Sequence, residues 1–281
     1  MSKTVRLPLC SLLALLLAAQ SMPLPAQTTR LSRGEVTFAD VAALSERAGL
    51  VARVEVKRLA QVEQARAAGV RPGFGRFYIE GKTGALLIGK APLGENVKYL
   101  VDLPLDAYGE GPDLKRQDVF VFARRVPARP DELQLVTPTA QLPWSLEGAT
   151  RLRTLLRSMV SQDAPPKITG VSELMHVPGN LAGQGRTQIF LSTEDGSAAS
   201  IAVTHEPGAP LSWGVSFSEV AARGRNSPER NTLAWYRLAC FLPDAPPPGA
   251  NLSKTDHART LALDDYRFVL NELRPCSRTL Q

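Results

Sequence analysis

The chain has 281 residues, of which 44% are hydrophobic, and its 33 basic and 27 acidic side chains give a formal net charge of +6. This charge is mild, and arginine and glutamate alternate without a long basic run. The composition therefore favours a mixed, solvated surface over one built to bind polyanions. No apolar run reaches the roughly 20 residues that a membrane-spanning helix needs, which predicts a soluble protein.

The first 26 residues have the layout of a secretory signal peptide. Two basic residues precede the apolar run at 12–19, which ends in small and turn-forming residues. Prolines end the helical part just before Ala26, which predicts cleavage after Ala26, with Ser21 as the alternative. We therefore expect a periplasmic or secreted protein. The excess of arginine over lysine and the abundance of alanine favour a bacterial periplasm.

Loss of the signal peptide removes Cys10 and leaves Cys240 and Cys276. Two thiols in an oxidising compartment predict one disulfide bond. Closing this 36-residue separation is expected to stabilise the fold by about 4 kcal/mol in the chain-entropy model.

The first half predicts a helix followed by a small antiparallel β-barrel. Thr37 and Asp40 form a capping box for the helix, and from Leu50 the apolar residues recur with a period of two. The predicted strands are 50–57, 77–80, 85–88, 99–103, 119–123 and 132–137. Their number and spacing favour an OB-like barrel. Residues 81–84 (GKTG) are interpreted as a hairpin turn between two of these strands and not as a phosphate loop.

The second half predicts an antiparallel sheet followed by two helices. Ser145 caps a helix that ends the first half, and the run SQDAPP at 161–166 then breaks the pattern. We therefore predict an α+β fold with an OB-like domain at 27–163 and a second domain at 167–281. In the second domain, strands are expected over 187–220 and helices over 228–241 and 254–273.

The predicted disulfide restricts how these two helices are arranged. In a simple antiparallel helix pair, Cys240 and Cys276 would lie at opposite ends. Either the proline-rich connection at 243–252 carries the chain back so that the helices run in similar directions, or the tail after Pro275 folds back. The sequence leaves both arrangements open.

The sequence contains few candidate site residues. The glycine-rich segment 179–185 is expected to be a loop, and it gives a tentative pocket of His176, Gly183, Gly185 and Arg186, where backbone amides would hold an anion. The histidines His176, His205 and His257 lack the close spacing of a metal motif, and no Gly-x-Ser-x-Gly turn is present. We therefore expect no metal site, no cofactor and no catalytic residues.

A second polar group is predicted between the two C-terminal helices. Asp264 and Asp265 on the second helix are expected to face Trp235, Tyr236 and Arg237 on the first. The favoured interpretation is an ion pair and stacked rings that lock the helices together, because aromatic residues at helical spacing are usually core.

Several stretches resemble an exported protein family of alphaproteobacteria. They are HVPG (176–179), TQIFL (187–191), WGVSFSE (213–219), TLAWYRLACFLP (232–243), DYRFVL (265–270) and PC (275–276). The resemblance covers nearly the whole chain after the signal peptide. It implies export and a shared fold, and it implies no particular chemistry.

The leading functional hypothesis is a non-catalytic periplasmic or secreted binding protein, whose partner is a glycan or an envelope protein and not nucleic acid. The first alternative is a periplasmic hydrolase with a site near His176 and the segment 179–185. The second is a small-molecule carrier.

Overall fold

The structure is a computed structural model that describes residues 36–218 and 226–280. The predicted signal peptide at 1–26 and the last two residues of the strand predicted at 213–220 lie outside these ranges. From residue 36 onward the chain forms one compact unit.

Five strands close into a small barrel. They follow the order β1-β2-β3-β5-β4, and β4 pairs back with β1. All neighbours are antiparallel except β3 and β5, which are parallel. The predicted α+β fold with a small β-barrel is confirmed, and the strand order is that of a five-stranded Greek-key barrel. The strands are β1 (Leu50–Gln61), β2 (Phe74–Gly89), β3 (Asn96–Pro104), β4 (Asp118–Val126) and β5 (Arg129–Leu135).

The barrel has an apolar interior because side chains along a strand alternate between its two faces. Ala52 and Val54 of β1 meet Val121 of β4 inside, and all three are fully buried. The intervening Val51 and Phe122 belong to a second apolar cluster outside the barrel wall. Both faces of this part of the wall are therefore covered.

The hairpin turn predicted at 81–84 is wrong, because these residues lie inside the continuous strand β2. A Cβ on Gly81 would lie 2.3 Å from Cγ1 of Val54, so the glycine permits the close approach of β2 to β1. The pairing of these two strands also shifts register three times, which bends the long strand around the barrel.

Two helices and one short strand flank the barrel. They are α1 (Phe38–Arg47), β6 (Gln141–Pro143), which pairs with β4, and α2 (Leu146–Val160). The capping box is confirmed: the Asp40 amide donates to Thr37 Oγ1 at 3.1 Å, and the Thr37 amide donates to Asp40 Oδ2 at 2.9 Å. The predicted cap of α2 is also confirmed, since Ser145 Oγ accepts a hydrogen bond from the Gly148 amide at 2.9 Å.

The second half contains a four-stranded antiparallel sheet in the order β10-β9-β8-β7. Sequence patterning predicted strands only from 187 onward and missed β7. The reason is that two register shifts in its pairing with β8 break the alternation of buried and exposed residues. The strands are β7 (Ile168–Pro178), β8 (Gly185–Thr193), β9 (Ser200–His205) and β10 (Ser212–Ser216).

The two C-terminal helices are α3 (Leu233–Ala239) and α4 (Asp256–Leu273). The starts predicted at 228 and 254 were wrong. Asn231 adopts a left-handed conformation with φ 61°, which separates Pro228 from the helix, and Thr232 caps α3 instead. Thr255 caps α4, because the Ser253 hydroxyl is engaged elsewhere.

A buried ion pair joins α3 to α1. Arg237 Nη1 donates to Glu46 Oε1, and the Tyr236 hydroxyl donates to Glu46 Oε2 at 3.0 Å. The side chains of Arg237 and Glu46 are 7% and 15% exposed. Burial lowers the pKa of Arg237 to about 10, so the guanidinium stays charged at neutral pH. The ion pair predicted between α3 and α4 was wrong in its partner, since Arg237 pairs with α1.

The predicted disulfide Cys240–Cys276 is present, with a Cα separation of 5.3 Å. The indole of Trp235, near the start of α3, donates to the Leu273 carbonyl at 2.9 Å. The start of α3 therefore lies beside the end of α4, and the tail after Pro275 folds back to reach Cys240. Of the two arrangements left open by the sequence, the structure has the second.

The same tail continues to α1. The amides of Thr279 and Leu280 donate to Asp40 Oδ1 at 2.8 and 3.0 Å. Burial would raise the pKa of Asp40, but these donors and those of Thr37 outweigh it and lower the pKa. Asp40 is therefore an ionised anchor for both its own helix and the C-terminal tail.

The sheet and the four helices share one core. Ala39 and Ala42 of α1 and Leu155 of α2 pack in the same cluster as Leu174 of β7 and Tyr266 of α4. Helices α1 and α2 of the first half therefore contribute to the same core as the elements of the second half. The domain boundary at 164–166 stays a prediction. Within the described residues, no helix is both long and apolar enough to span a membrane.

Candidate functional site

A cavity of about 660 Å³ lies beside the β7–β8 hairpin. We call it the hairpin cavity. Three of its lining residues, Arg186, Gln188 and Phe190, alternate along β8 and therefore share one face of the sheet. The residues between them, Thr187 and Ile189, are fully buried on the opposite face. The cavity thus occupies the side of the sheet that faces away from the core.

The wall of the hairpin cavity contains both apolar and polar groups, and its surface is more apolar than polar. It contains the side-chain amides of Asn180, Gln184 and Gln188, and the aromatic ring of Phe190, which is 37% exposed. In the described part of the chain, no group accepts a hydrogen bond from the buried Nε2 of Gln188. The wall therefore combines hydrogen-bonding amides with an apolar ring.

Two of the four residues in the predicted pocket line the cavity. They are Gly185 and Arg186. Gly183 lies in the turn of the hairpin with φ +78°, a conformation that favours glycine. His176 is buried beneath Gly185, where an added Cβ would lie 2.6 Å from its Nε2. Glycine at 185 therefore lets the imidazole pack directly under the hairpin.

The predicted loop at 179–185 is a compact hairpin connection. The Gly179 amide donates to the Gln184 carbonyl at 2.7 Å, and the Gln184 amide donates to the Leu181 carbonyl at 3.0 Å. Gly185 already belongs to β8. These backbone amides are used within the turn, so the predicted anion cradle does not have them available.

On the core side of the sheet lies a group of four polar side chains, which we call the histidine–aspartate cluster. Its members are His176 of β7, Thr187 of β8, His205 at the end of β9 and Asp265 of α4. His205 Nε2 lies 2.9 and 2.8 Å from the two carboxylate oxygens of Asp265. His176 Nδ1 lies 2.8 Å from Thr187 Oγ1 and 3.8 Å from Asp265 Oδ2.

The hydrogen bonds of the cluster form a chain. Thr187 Oγ1 donates to Asp265 Oδ2, so its oxygen is left to accept a hydrogen bond from His176 Nδ1. His205 donates to the same carboxylate through Nε2. Ser253 Oγ accepts from the backbone amide of His176 at 3.0 Å and holds this end of the cluster.

Burial sets the charge state of His176. Loss of hydration lowers its pKa, the neighbouring His205 lowers it further, and Asp265 opposes both effects. The net pKa of His176 lies below its ordinary value, so the imidazole is neutral at neutral pH. A neutral imidazole has a proton on one nitrogen and a lone pair on the other, and in this network the proton of His176 lies on Nδ1.

The cluster was not predicted from the sequence. His176 and His205 are 29 residues apart, and Asp265 follows 60 residues later, so no local motif joins them. One signal was present: Asp265 lies on the apolar side of α4, next to Tyr266 and close to Ala262. A carboxylate in such a position needs a buried partner.

The expected contact of Asp264 and Asp265 with α3 was wrong. Asp264 pairs with Arg267 on its own helix at 2.8 Å, and Asp265 faces the sheet. The hydroxyl of Tyr266 donates to the Pro243 carbonyl at 2.6 Å. Tyr266 therefore anchors the segment after α3, and the charged groups of α4 serve other contacts.

His205 is a lining residue of the hairpin cavity and a member of the cluster, and its imidazole lies on the core side of the sheet beside Asp265. Its side chain is 18% exposed, whereas that of Asp265 is 3% exposed. His205 is thus more exposed than His176 and Asp265 and lies at the edge of the hairpin cavity.

Comparison of the sequence with protein-family models and with curated proteins gave no match. The resemblance to an exported alphaproteobacterial family stays a prediction.

Proposed function

We propose that the protein is an exported, non-catalytic binding protein that holds a glycan in the hairpin cavity. The observation that carries the proposal is the wall of this cavity, in which three side-chain amides lie with an exposed aromatic ring. The volume falls within the range of about 300–1,000 Å³ that is typical of small-ligand sites.

The chemistry of the wall fits a ligand rich in hydroxyl groups. The side-chain amides of Asn180, Gln184 and Gln188 can both donate and accept, which matches the hydroxyl groups of a glycan, although Oε1 of Gln184 already accepts from the Leu181 amide at 3.4 Å. The face of Phe190 provides an apolar platform for the C–H face of a sugar ring. Among the described residues that line the cavity, Arg186 carries the one guanidinium and Glu206 the one carboxylate, so this part of the wall has no strong net charge.

The compartment is also part of the proposal. The Cys240–Cys276 disulfide supports an oxidising environment such as the periplasm. In that compartment envelope glycans are abundant ligands and nucleic acids are not, which agrees with the mild net charge of the chain.

A glycan array followed by calorimetry tests the proposal. We expect at least one oligosaccharide to bind above background, and Gln188→Leu to weaken that binding about tenfold, because a ligand hydroxyl loses its partner. The matched control is Gln134→Leu on the exposed part of β5, which should leave the affinity unchanged. An array without any ligand, or equal affinities for the Gln188 variant and the unaltered protein, would contradict it.

A second candidate function is hydrolysis, and a specific contact favours it. His205 lies on the cavity wall and donates to the buried carboxylate of Asp265, the arrangement that orients an imidazole as a general base. Neither serine nor cysteine occurs among the described residues that line the cavity, but Thr204 does, so either water or the Thr204 hydroxyl would be the nucleophile.

Ester, peptide and phosphoester substrates test the hydrolase hypothesis. Turnover lost in His205→Ala and kept in His257→Ala would favour the enzyme. Sequence reasoning placed the test at His176, but His205 is the histidine that reaches the cavity. Absence of turnover in the unaltered protein would leave the binding function as the better account.

A further inference from the structure

We infer that the histidine–aspartate cluster is a binding site for one divalent transition-metal ion, for which zinc is the best match. The site is formed by His176, His205 and Asp265, whose ligand atoms all lie within 4.8 Å of one another. Zinc binding can be measured without any glycan, so this site can be tested independently of the proposed glycan function.

The donor set favours zinc over the hard cations. Imidazole nitrogens suit zinc, copper, nickel and iron, whereas magnesium and calcium prefer all-oxygen sites. Two histidines and one carboxylate are a common ligand set of zinc sites that keep a fourth position open. Here that position would lie beside His205, which is the most exposed of the three ligands.

The spacing of the ligand atoms fits a small ion. Zinc bonds of about 2.0–2.1 Å in tetrahedral geometry place neighbouring ligand atoms about 3.3 Å apart. The separations to the Asp265 carboxylate are 2.8 Å from His205 Nε2 and 3.8 Å from His176 Nδ1. These two values lie on either side of the expected spacing. Binding of zinc also requires His176 Nδ1 to leave the Thr187 hydroxyl, and the proton of each imidazole to move to its other nitrogen.

The surroundings hold the ligands in place. Thr187 donates to the Asp265 carboxylate, and Ser253 fixes the backbone of His176. Such outer partners orient the ligands of a metal ion. The three ligands come from β7, β9 and α4, so the packing of the sheet against this helix sets their positions.

A closed hydrogen-bond network without metal is the competing account of the same contacts. The uptake of zinc and its effect on the melting temperature distinguish a metal site from a metal-free network. Protein treated with a chelator should take up one zinc per chain, and zinc should raise its melting temperature in a concentration-dependent way, because a ligand that binds the native state stabilises it. Magnesium and calcium should leave the melting temperature unchanged. Failure to bind zinc would overturn the inference.

Two variants locate the site. Asp265→Asn and His205→Gln should each weaken zinc binding by more than about 100-fold, since loss of outer partners alone costs about 10- to 100-fold. The matched control is His257→Gln, which changes the one remaining histidine of the chain, exposed near the start of α4. Unchanged binding in both cluster variants, or loss of binding in the control, would overturn the inference.

Folding of the variants is checked separately by circular dichroism without zinc. His205 is partly exposed and lies at the end of a strand, so His205→Gln keeps the test valid if Asp265→Asn does not fold. The proposed glycan function has its own readout at Gln188. Failure of zinc binding and failure of glycan binding are therefore distinguishable.

Discussion

Replacing Glu46 by glutamine is expected to lower the free energy of unfolding by about 3 kcal/mol. The buried guanidinium of Arg237 would then lose its only carboxylate partner among the described residues, and the remaining bond from its Nε to the Pro165 carbonyl at 3.3 Å carries no compensating charge. The Tyr236 hydroxyl loses an ionised acceptor as well. Urea unfolding of the variant and the unaltered protein measures the effect.

The control is an ion pair on the surface. Glu147 and Arg151 are 74% and 75% exposed, and water screens their attraction. Glu147→Gln should therefore change the free energy of unfolding by less than about 1 kcal/mol. Equal changes in the free energy of unfolding for Glu46→Gln and Glu147→Gln would contradict a stabilising buried ion pair between α1 and α3.

Reduction of the Cys240–Cys276 disulfide is expected to lower the free energy of unfolding by about 4 kcal/mol. The reason is the 36-residue separation that the bond closes, which restricts the unfolded chain. The bond also holds the C-terminal tail, whose residues Thr279 and Leu280 bind Asp40 of α1. Unfolding by urea with and without reductant measures the loss.

A variant with Cys240 and Cys276 changed to serine provides the control for this experiment. It should unfold like the reduced protein, and reductant should have no further effect on it. Coincident unfolding curves of the unaltered protein with and without reductant would contradict the predicted contribution of the bond.

The sequence predicted those parts of the fold that depend on local patterns. The period of two from Leu50, the capping box of Thr37 and Asp40, and the cap at Ser145 each involve residues close in the chain, and the structure confirms them. The disulfide was predictable because the choice of partners was reduced to one pair.

The errors arise where distant contacts override local preference. Residues 81–84 have the composition of a turn, but Gly81 is needed for close approach to Val54 on another strand. Ser227 and Ser253 directly precede the predicted helix starts at 228 and 254 and are suitable caps by residue type, yet Thr232 and Thr255 cap the helices. Local chemistry cannot decide which of two suitable residues has the right backbone conformation.

The candidate site was only partly predictable for the same reason. Gly185 and Arg186 were expected in a pocket and line the hairpin cavity. The histidine–aspartate cluster joins β7, β9 and α4, and its formation depends on the order of strands in the sheet, which the sequence did not provide. The strand β7, which carries His176, was itself missed.

Nuclear magnetic resonance tests the central claim, that the hairpin cavity is the ligand site, most directly. The oligosaccharide that binds best on the array is titrated into ¹⁵N-labelled protein, and the amide shifts are mapped onto the sequence. We predict the largest changes at Gln184, Gln188 and Phe190, with neighbouring changes at His205. Changes confined to the barrel strands β2 and β3, with none in the β7–β8 hairpin, would contradict the claim.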